Sequence, residues 1–428
     1  MKAPTTTPAP LNRTKTTQLV IVFLIAILVR AGVATSTVRK HEHAAPDKVG
    51  TLHFDDEQWY WSIGQSYRAG DGMVGEFGHR AERMPLYPWV LSWFSPSESG
   101  VSAARWFQYF FGALAACAVM ALAWKISTYG IVAGLIVAFD PTLVGSASLL
   151  LSETVAVTFL AGLWWVAWPL RQSRVSSPLR WLAAILLSIL VIYAKESTLI
   201  LVAALLGYIV FARRDRTGII GAAASVACII IALLPWAYRN KQATGDWIWL
   251  TSRGGISLYD GVHPGATGAS DLGNIKSAPE VANFSEAEWN RHFKAEAWKH
   301  ILDDPIRILR LSWVKFARTW SPILNAADYQ SWKIRIIFAG WYIPLYAFVI
   351  LGVYTHRSRF SLLIALLIPT ICVSATHVFF VGSVRYRLVA IPTLAILAAM
   401  GLQAVMGMRK LQVAPDVPKN ADTPESSV

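Results

Sequence analysis

Apolar residues in this chain gather into long, nearly uninterrupted runs separated by short polar stretches, and such runs are too long for the buried faces of a soluble protein. They fall at about 19–34, 101–124, 128–150, 152–170, 178–194, 197–211, 217–237, 332–354, 360–380 and 388–407. The pattern predicts an all-α integral membrane protein of about ten transmembrane helices. Two polar stretches, about 38–100 and 240–330, are long enough to hold structure of their own. In the first, Asp56, Trp59, Tyr60, Ile63 and Tyr67 share one helical face, while Gln58, Ser62, Gln65 and Arg68 point away. This is the pattern of an interfacial amphipathic helix. The second stretch ends in another amphipathic segment, Asp304-Pro305 to Trp320.

The domain organisation follows: a polar tail at 1–16, a membrane domain at 17–407, and a polar tail at 408–428 that holds Pro415, Pro418 and Pro424 and reads as disordered. Gly32-Val33-Ala34 is small enough to end a signal peptide, but the many later runs favour an uncleaved first helix.

Composition agrees, with 54% hydrophobic and 15% charged residues and a mean hydropathy of +0.43. Many of the 19 tryptophans, Trp59, Trp89, Trp236, Trp247, Trp313 and Trp320 among them, flank apolar runs, as indole does at a headgroup layer. The net charge of +13 would suggest nucleic acid in a soluble protein. Here it falls largely in short loops and reads as a topology signal, so no nucleic-acid partner is expected. Cys117, Cys228 and Cys372 lie inside apolar runs and predict packing, not a disulfide or thiolate site.

With the N-terminus inside, alternation puts Lys125, then Arg171, Arg174 and Arg180, then Arg213, Arg214 and Arg216, then Arg357 and Arg359, then Arg409 and Lys410 on the cytoplasmic side. The two termini are then cytoplasmic. The opposite side receives Asp56, Glu57, Arg83, Glu153, Lys195, Glu196, Arg239, Arg253, Arg385 and Arg387. Charges of both signs gathered at one membrane face predict a site. Lys195 with Glu196 can also be read as a buried pair between two helices. In the second long loop, Gly254-Gly255 beside Arg253 would let backbone N–H groups approach a phosphate or sugar, or form an ordinary turn; Asp260 follows.

These residues resemble the integral-membrane glycosyltransferases of the GT-C type, close to family 39. That group contains polyprenyl-phosphate-mannose protein mannosyltransferases and lipid A aminoarabinose transferases. The resemblance is carried by Asp56-Glu57 with Tyr60 and Gly70, then Arg83-Met84-Pro85-Leu86-Tyr87-Pro88. Ser152-Glu153-Thr154, Pro235-Trp236 before Arg239-Asn240, Gly254-Gly255 to Gly261, Thr267-Gly268, and Arg385-Tyr386-Arg387 before Pro392 support it. It covers about residues 17–407.

The resemblance implies transfer of a sugar from a polyprenyl-phosphate donor to a lipid, glycan or protein hydroxyl at the outer face of the inner, or plasma, membrane. Asp56 matches the base position, with Asp55 as an alternative, and Glu57 is a positioning neighbour or a helix-surface carboxylate. Arg83, Arg239, Arg385 and Arg387 are candidates for the donor phosphate, because forked guanidinium donors suit it. Glu153, Lys195, Arg253 and Asp260 complete the substrate-loop candidates. A divalent cation, Mg or Mn, held by Asp55, Asp56, Glu57 or Glu153 is left open. His53, His79, His263 and His377 show no ligand spacing, so no transition-metal site is expected. Asp140-Pro141, a polar break inside a run, has no counterpart in the resemblance and favours a second reading, a lipid or glycan transporter or flippase. An envelope polysaccharide polymerase or ligase is a third.

Overall fold

The computed structural model describes residues 13–44, 52, 54–172, 177–273, 283–325 and 331–412, and among these every regular element is a helix. His53, Arg174 and most of the two tails lie outside the described residues. The elements run α1 (Arg13–Ala44), α2 (Asp55–Ala69), α3 (Leu86–Leu91), α4 (Glu98–Ala123), α5 (Gly130–Phe139), α6 (Pro141–Ser148), α7 (Glu153–Ala167), α8 (Pro178–Ala194), α9 (Leu199–Arg213) and α10 (Arg216–Thr244). They continue with α11 (Gly254–Val262), α12 (Glu286–Asp303), α13 (Pro305–Thr319), α14 (Trp332–Thr355), α15 (Phe360–Thr376) and α16 (Ile391–Gln412), the last passing the domain boundary expected at 407.

Each apolar run is helical, and the chain is a multi-pass membrane protein. Among the described residues, six helices are long and apolar enough to cross a membrane, and the α5–α6 pair makes a seventh if its 48° bend is one broken span. α8, α15 and α16 are shorter apolar helices. Ten full-length spans are therefore more than these lengths show. The breaks have causes in the sequence: Pro141 opens α6, and Pro178 and Lys195 bound α8. Leu28, Ile231 and Ile350 are exposed around the bundle, the arrangement of a surface solvated by lipid.

Small residues let the helices approach. A Cβ on Gly352 of α14 would lie 2.1 Å from the Leu397 carbonyl, and one on Gly401 of α16 would lie 2.0 Å from that of Phe348, so only glycine permits this backbone contact. The α5–α6 break is closed by two buried charges. Arg30 of α1 donates to the Val137 and Ala138 carbonyls at the end of α5, each at 3.2 Å. Asp140 accepts from Thr142 and Leu143 N–H at the start of α6 (3.0 and 2.9 Å) and from the Tyr342 hydroxyl and Trp341 indole (2.8 and 3.2 Å). Both ends of the broken helix are thus satisfied inside the bundle.

α7 starts at Glu153 and continues through a 3₁₀ turn to Arg171, where Arg213 reaches over to donate to the Leu170 and Gln172 carbonyls (2.8 and 3.0 Å). The basic Arg171/Arg213 group and the group around Glu153 therefore occupy opposite ends of one span.

Candidate active site

α2 carries the first component. Asp55, Asp56 and Glu57 occupy its first turn, where the helix dipole favours carboxylates. Gly64 presses on α3, with room for no Cβ beside Leu91. That contact selects the packed face, which is Glu57, Tyr60, Trp61, Ile63 and Gly64. Tyr67, expected on the apolar face, is exposed, because α3 and the bundle claim the stripe next to it.

The loop after α2 folds back to deliver Arg83. Glu286 of α12 accepts from the backbone N–H groups of Arg80 and Ala81 (2.6 and 2.8 Å), and Arg239 donates to the carbonyls of Arg80 and Met73. Arg83 Nη2 then donates to Asp56 Oδ1 at 2.7 Å. On the other side, Arg385 Nη1 donates to Asp56 Oδ2 at 2.6 Å, and its Nε donates to Glu153 Oε1 at 2.5 Å. Lys195 Nζ donates to the same Glu153 oxygen at 3.2 Å. Five side chains from four parts of the sequence thus form one ionic relay, Arg83–Asp56–Arg385–Glu153–Lys195. It is open at one place: Asp56 and Arg385 keep 30% and 29% of their side chains exposed, whereas Glu153 keeps 2%.

Burial alone would raise the Asp56 carboxyl, but the Arg83 and Arg385 guanidiniums overcome it and hold the group well below the usual carboxylate range. Burial likewise works against the charge of Arg385, and Glu153 and Asp56 reverse the effect, so its pKa stands well above the ordinary value.

Other expected residues sit beside the relay or away from it. Glu57 is fully buried; it accepts from Leu150 N–H at 2.8 Å and faces Arg105 at 3.5 Å. It is not a helix-surface carboxylate. Arg387 is also buried, donating to the Ser321 carbonyl (2.5 Å) and the Tyr346 hydroxyl (2.9 Å) beneath the Tyr342 ring. It anchors the turn that presents Arg385. Lys195 pairs with Glu153 and not with Glu196. Asp260 ties down its own loop, accepting from Ser270 (2.7 Å) and Asp271 N–H (2.8 Å). The Gly254-Gly255 pair is spent on packing, since Gly255 N–H donates to Asn290 at 2.8 Å and a Cβ there would meet the Asn290 backbone. Arg253 pairs with Glu82 at 3.0 Å and lies over Trp59, the ring that Arg83 also faces.

Arg105 and Glu82 are additions. A lone arginine inside the apolar run 101–124 is a legible signal; Glu82 carries none apart from the fold.

The oxygens do not form a cation site. Asp56 and Glu153 are bridged by a guanidinium, Glu57 faces Arg105, and Asp55 is exposed. Among the described residues no three His, Cys, Asp or Glu side chains are grouped to hold a metal.

No family model matches the chain, and no curated protein matches it. Among solved structures, it aligns over 96% of its length with the archaeal oligosaccharyltransferase AglB from Archaeoglobus fulgidus, solved with an inhibitory peptide and a dolichol-phosphate, at a TM-score of 0.56 and 13% identity. The chain shares the fold of the matched part of that structure. The chain spans about half, 53%, of that structure. A second match is ArnT from Cupriavidus metallidurans bound to undecaprenyl phosphate, at 12% identity, covering 93% of this chain and 81% of that one. Its TM-score of 0.39 is too low to bear on the assignment. Within this fold, the ionic relay joins the first long loop, the start of α7, the α8–α9 junction and the turn before α16.

Proposed function

We propose that this protein is a membrane glycosyltransferase that moves a sugar from a polyprenyl-phosphate donor to an acceptor hydroxyl. The observation that carries this reading is the clasp of two arginines on one half-open carboxylate, Asp56. A polyprenyl phosphate is an anion at the edge of a bilayer, and forked guanidiniums are its natural receptors. Among the described residues, Asp56 is the one carboxylate paired with both arginines, so an incoming phosphate competes with it directly.

The chemistry then follows in order. The phosphate takes Arg83 and Arg385, and Asp56, released from them, turns to the acceptor hydroxyl. As the hydroxyl oxygen bonds to the anomeric carbon, the bond from that carbon to the phosphate oxygen breaks. The proton passes to Asp56, and the charge on the departing polyprenyl phosphate stays between the arginines. Glu153 and Lys195 hold Arg385 in place, Glu57 fixes the start of α2, and Arg239 and Arg387 fix the two loops.

Residues 17–407 form the transferase domain, the three shorter apolar helices also cross the bilayer, and the relay faces outward from the inner membrane, with both termini in the cytoplasm. α13 lies along the membrane surface: Ile306, Leu309, Trp313 and Phe316 project from it exposed, while Lys315 on the opposite face donates to the Val378 and Phe379 carbonyls (3.1 and 2.8 Å). The broken span at Asp140 gives little support to a transporter, because Asp140 is consumed by helix caps and Tyr342.

The test is donor turnover by purified protein in lipid, offered a panel of polyprenyl-phosphate sugars with a crude envelope acceptor extract. Release of polyprenyl phosphate by wild type and not by Asp56→Asn is the expected result. Absence of both donor binding and release in wild type would overturn the reading.

A further inference from the structure

The end of the bundle remote from the relay gathers cations from four helices. Three of them lie over indole rings: Lys15 at the start of α1 over Trp124 (5.4 Å), Lys125 after α4 over Trp165 (4.9 Å), and Arg171 after α7 over Trp168 (4.4 Å). The fourth, Arg180, stands in the first turn of α8. Lys15 and Arg180 both occupy first turns, where the helix dipole disfavours positive charge, so neither is placed there to stabilise its own helix.

Lys125 also donates to the Trp165 carbonyl at 3.2 Å, which ties its ammonium to the end of α7. Partial burial and the facing Arg180 guanidinium push that ammonium down to about 8; α8 thus brings a second cation against the first. Among the described residues none of the four cations is in an ion pair. The sequence supplies the reason: residues 1–18, 124–129 and 168–181 contain no Asp or Glu. Asp215, in the turn between α9 and α10, is held by both Nε and Nη2 of Arg213 at 2.9 Å.

Two like charges brought together repel unless an anion bridges them. The surroundings select its carrier. Trp165, Leu179 and Leu182 are exposed beside Lys125 and Arg180, so an anion reaching both cations lies along an apolar, lipid-facing wall. A zwitterionic headgroup brings its own ammonium with its phosphate, whereas an acidic headgroup brings net negative charge and leaves its chains on the wall.

We propose that the notch between the ends of α4 and α7 and the start of α8 is a headgroup site for an acidic phospholipid, with Lys125 and Arg180 on the phosphate and Trp165 against the glycerol and first chain carbons. The site is independent of the transferase reading and uses neither the donor nor Asp56.

The test is native mass spectrometry of the full chain, purified and delipidated in detergent, then titrated with phosphatidylglycerol, phosphatidylethanolamine and inorganic phosphate. Wild type should bind phosphatidylglycerol about thirtyfold more tightly than phosphatidylethanolamine, the worth of two basic side chains at an anionic surface. The Lys125→Gln/Arg180→Gln double variant should lose that preference. Lys125→Arg should keep it, and so should Arg357→Gln/Arg359→Gln, which removes two cations of the α14–α15 turn. Thermal unfolding checks that the first double variant is folded; if it is not, Arg180→Gln alone decides, with about a fivefold loss expected. An absence of preference in wild type, or its survival in the Lys125/Arg180 variants, would overturn the site. Equal loss in the α14–α15 variant would overturn it in favour of a diffuse positive surface, and displacement of phosphatidylglycerol by inorganic phosphate at matched concentration would overturn it in favour of a soluble anion.

Discussion

Arg385 donates to Asp56 at 2.6 Å, and this contact links the last turn before α16 to the first turn of α2. Asp56 is therefore at rest an ion-paired group, and in the proposed chemistry it becomes a base only when another anion takes its partners. Asp56→Asn keeps the shape, removes the charge, and should lower transfer by roughly 10²–10⁴-fold, the usual worth of a general base. Single-turnover release of polyprenyl phosphate is the measurement. Full activity in this variant would move the role to Asp55.

Arg385→Ala should change the pH profile as well as the rate. Asp56 is held below its ordinary pKa by Arg83 and Arg385 against the effect of burial, so in wild type it stays ionised as pH falls through the ordinary carboxylate range. Removing Arg385 takes away part of that support and raises the pKa. The acidic limb of kcat/KM should then move to higher pH in the variant, with the donor KM rising in parallel. An unmoved limb would show that Asp56 is not the group being titrated.

His377, at the end of α15, offers a stability test. Burial pushes its imidazole down to about 4; the ring stacks on Tyr386 at 4.1 Å, and its Nδ1 donates to the Val381 carbonyl at 2.7 Å. Because the folded state resists the proton that the unfolded state accepts, stability is full above the unfolded value of about 6.5. It is lost as pH falls from there towards 4. Thermal unfolding in nanodiscs should show that slope in wild type, and His377→Gln should flatten it.

The Glu57–Arg105 pair should behave as a buried ion pair. Arg105→Met strands a fully buried carboxylate and should cost roughly 3–5 kcal/mol. Glu57→Gln added to it should recover part of the loss. Denaturation midpoints of the two single variants and the double variant decide this, and simple additivity would argue against the pairing.

What could be read in the sequence divides along physical lines. Helix identity was legible throughout, because runs of apolar residues need no tertiary knowledge. Asp56, Arg83, Glu153, Lys195 and Arg385 were legible as five of the ten charges expected to gather together, and the structure joins these five. Their partners were not: Lys195 stands beside Glu196 in sequence but bonds Glu153. Helical period put Tyr67 on the apolar face with Tyr60 and Ile63, but it cannot say which stripe α3 will cover. Arg387 and Arg239 look like phosphate ligands by type and are loop anchors by contact. Arg105 was available as a lone charge in an apolar run.

The relay also fixes an order of events in biogenesis. Asp56 and Arg385 stand 329 positions apart, so at 5–20 residues per second the ribosome needs roughly 15–65 s to add the second after the first. Through that interval Asp56, and Glu153 once it has been added, wait for the guanidinium that joins them. The relay can close only after the α15–α16 hairpin arrives, and a product that stops short of it leaves Asp56 to Arg83 alone and Glu153 to Lys195 alone, two separate pairs in place of one joined network.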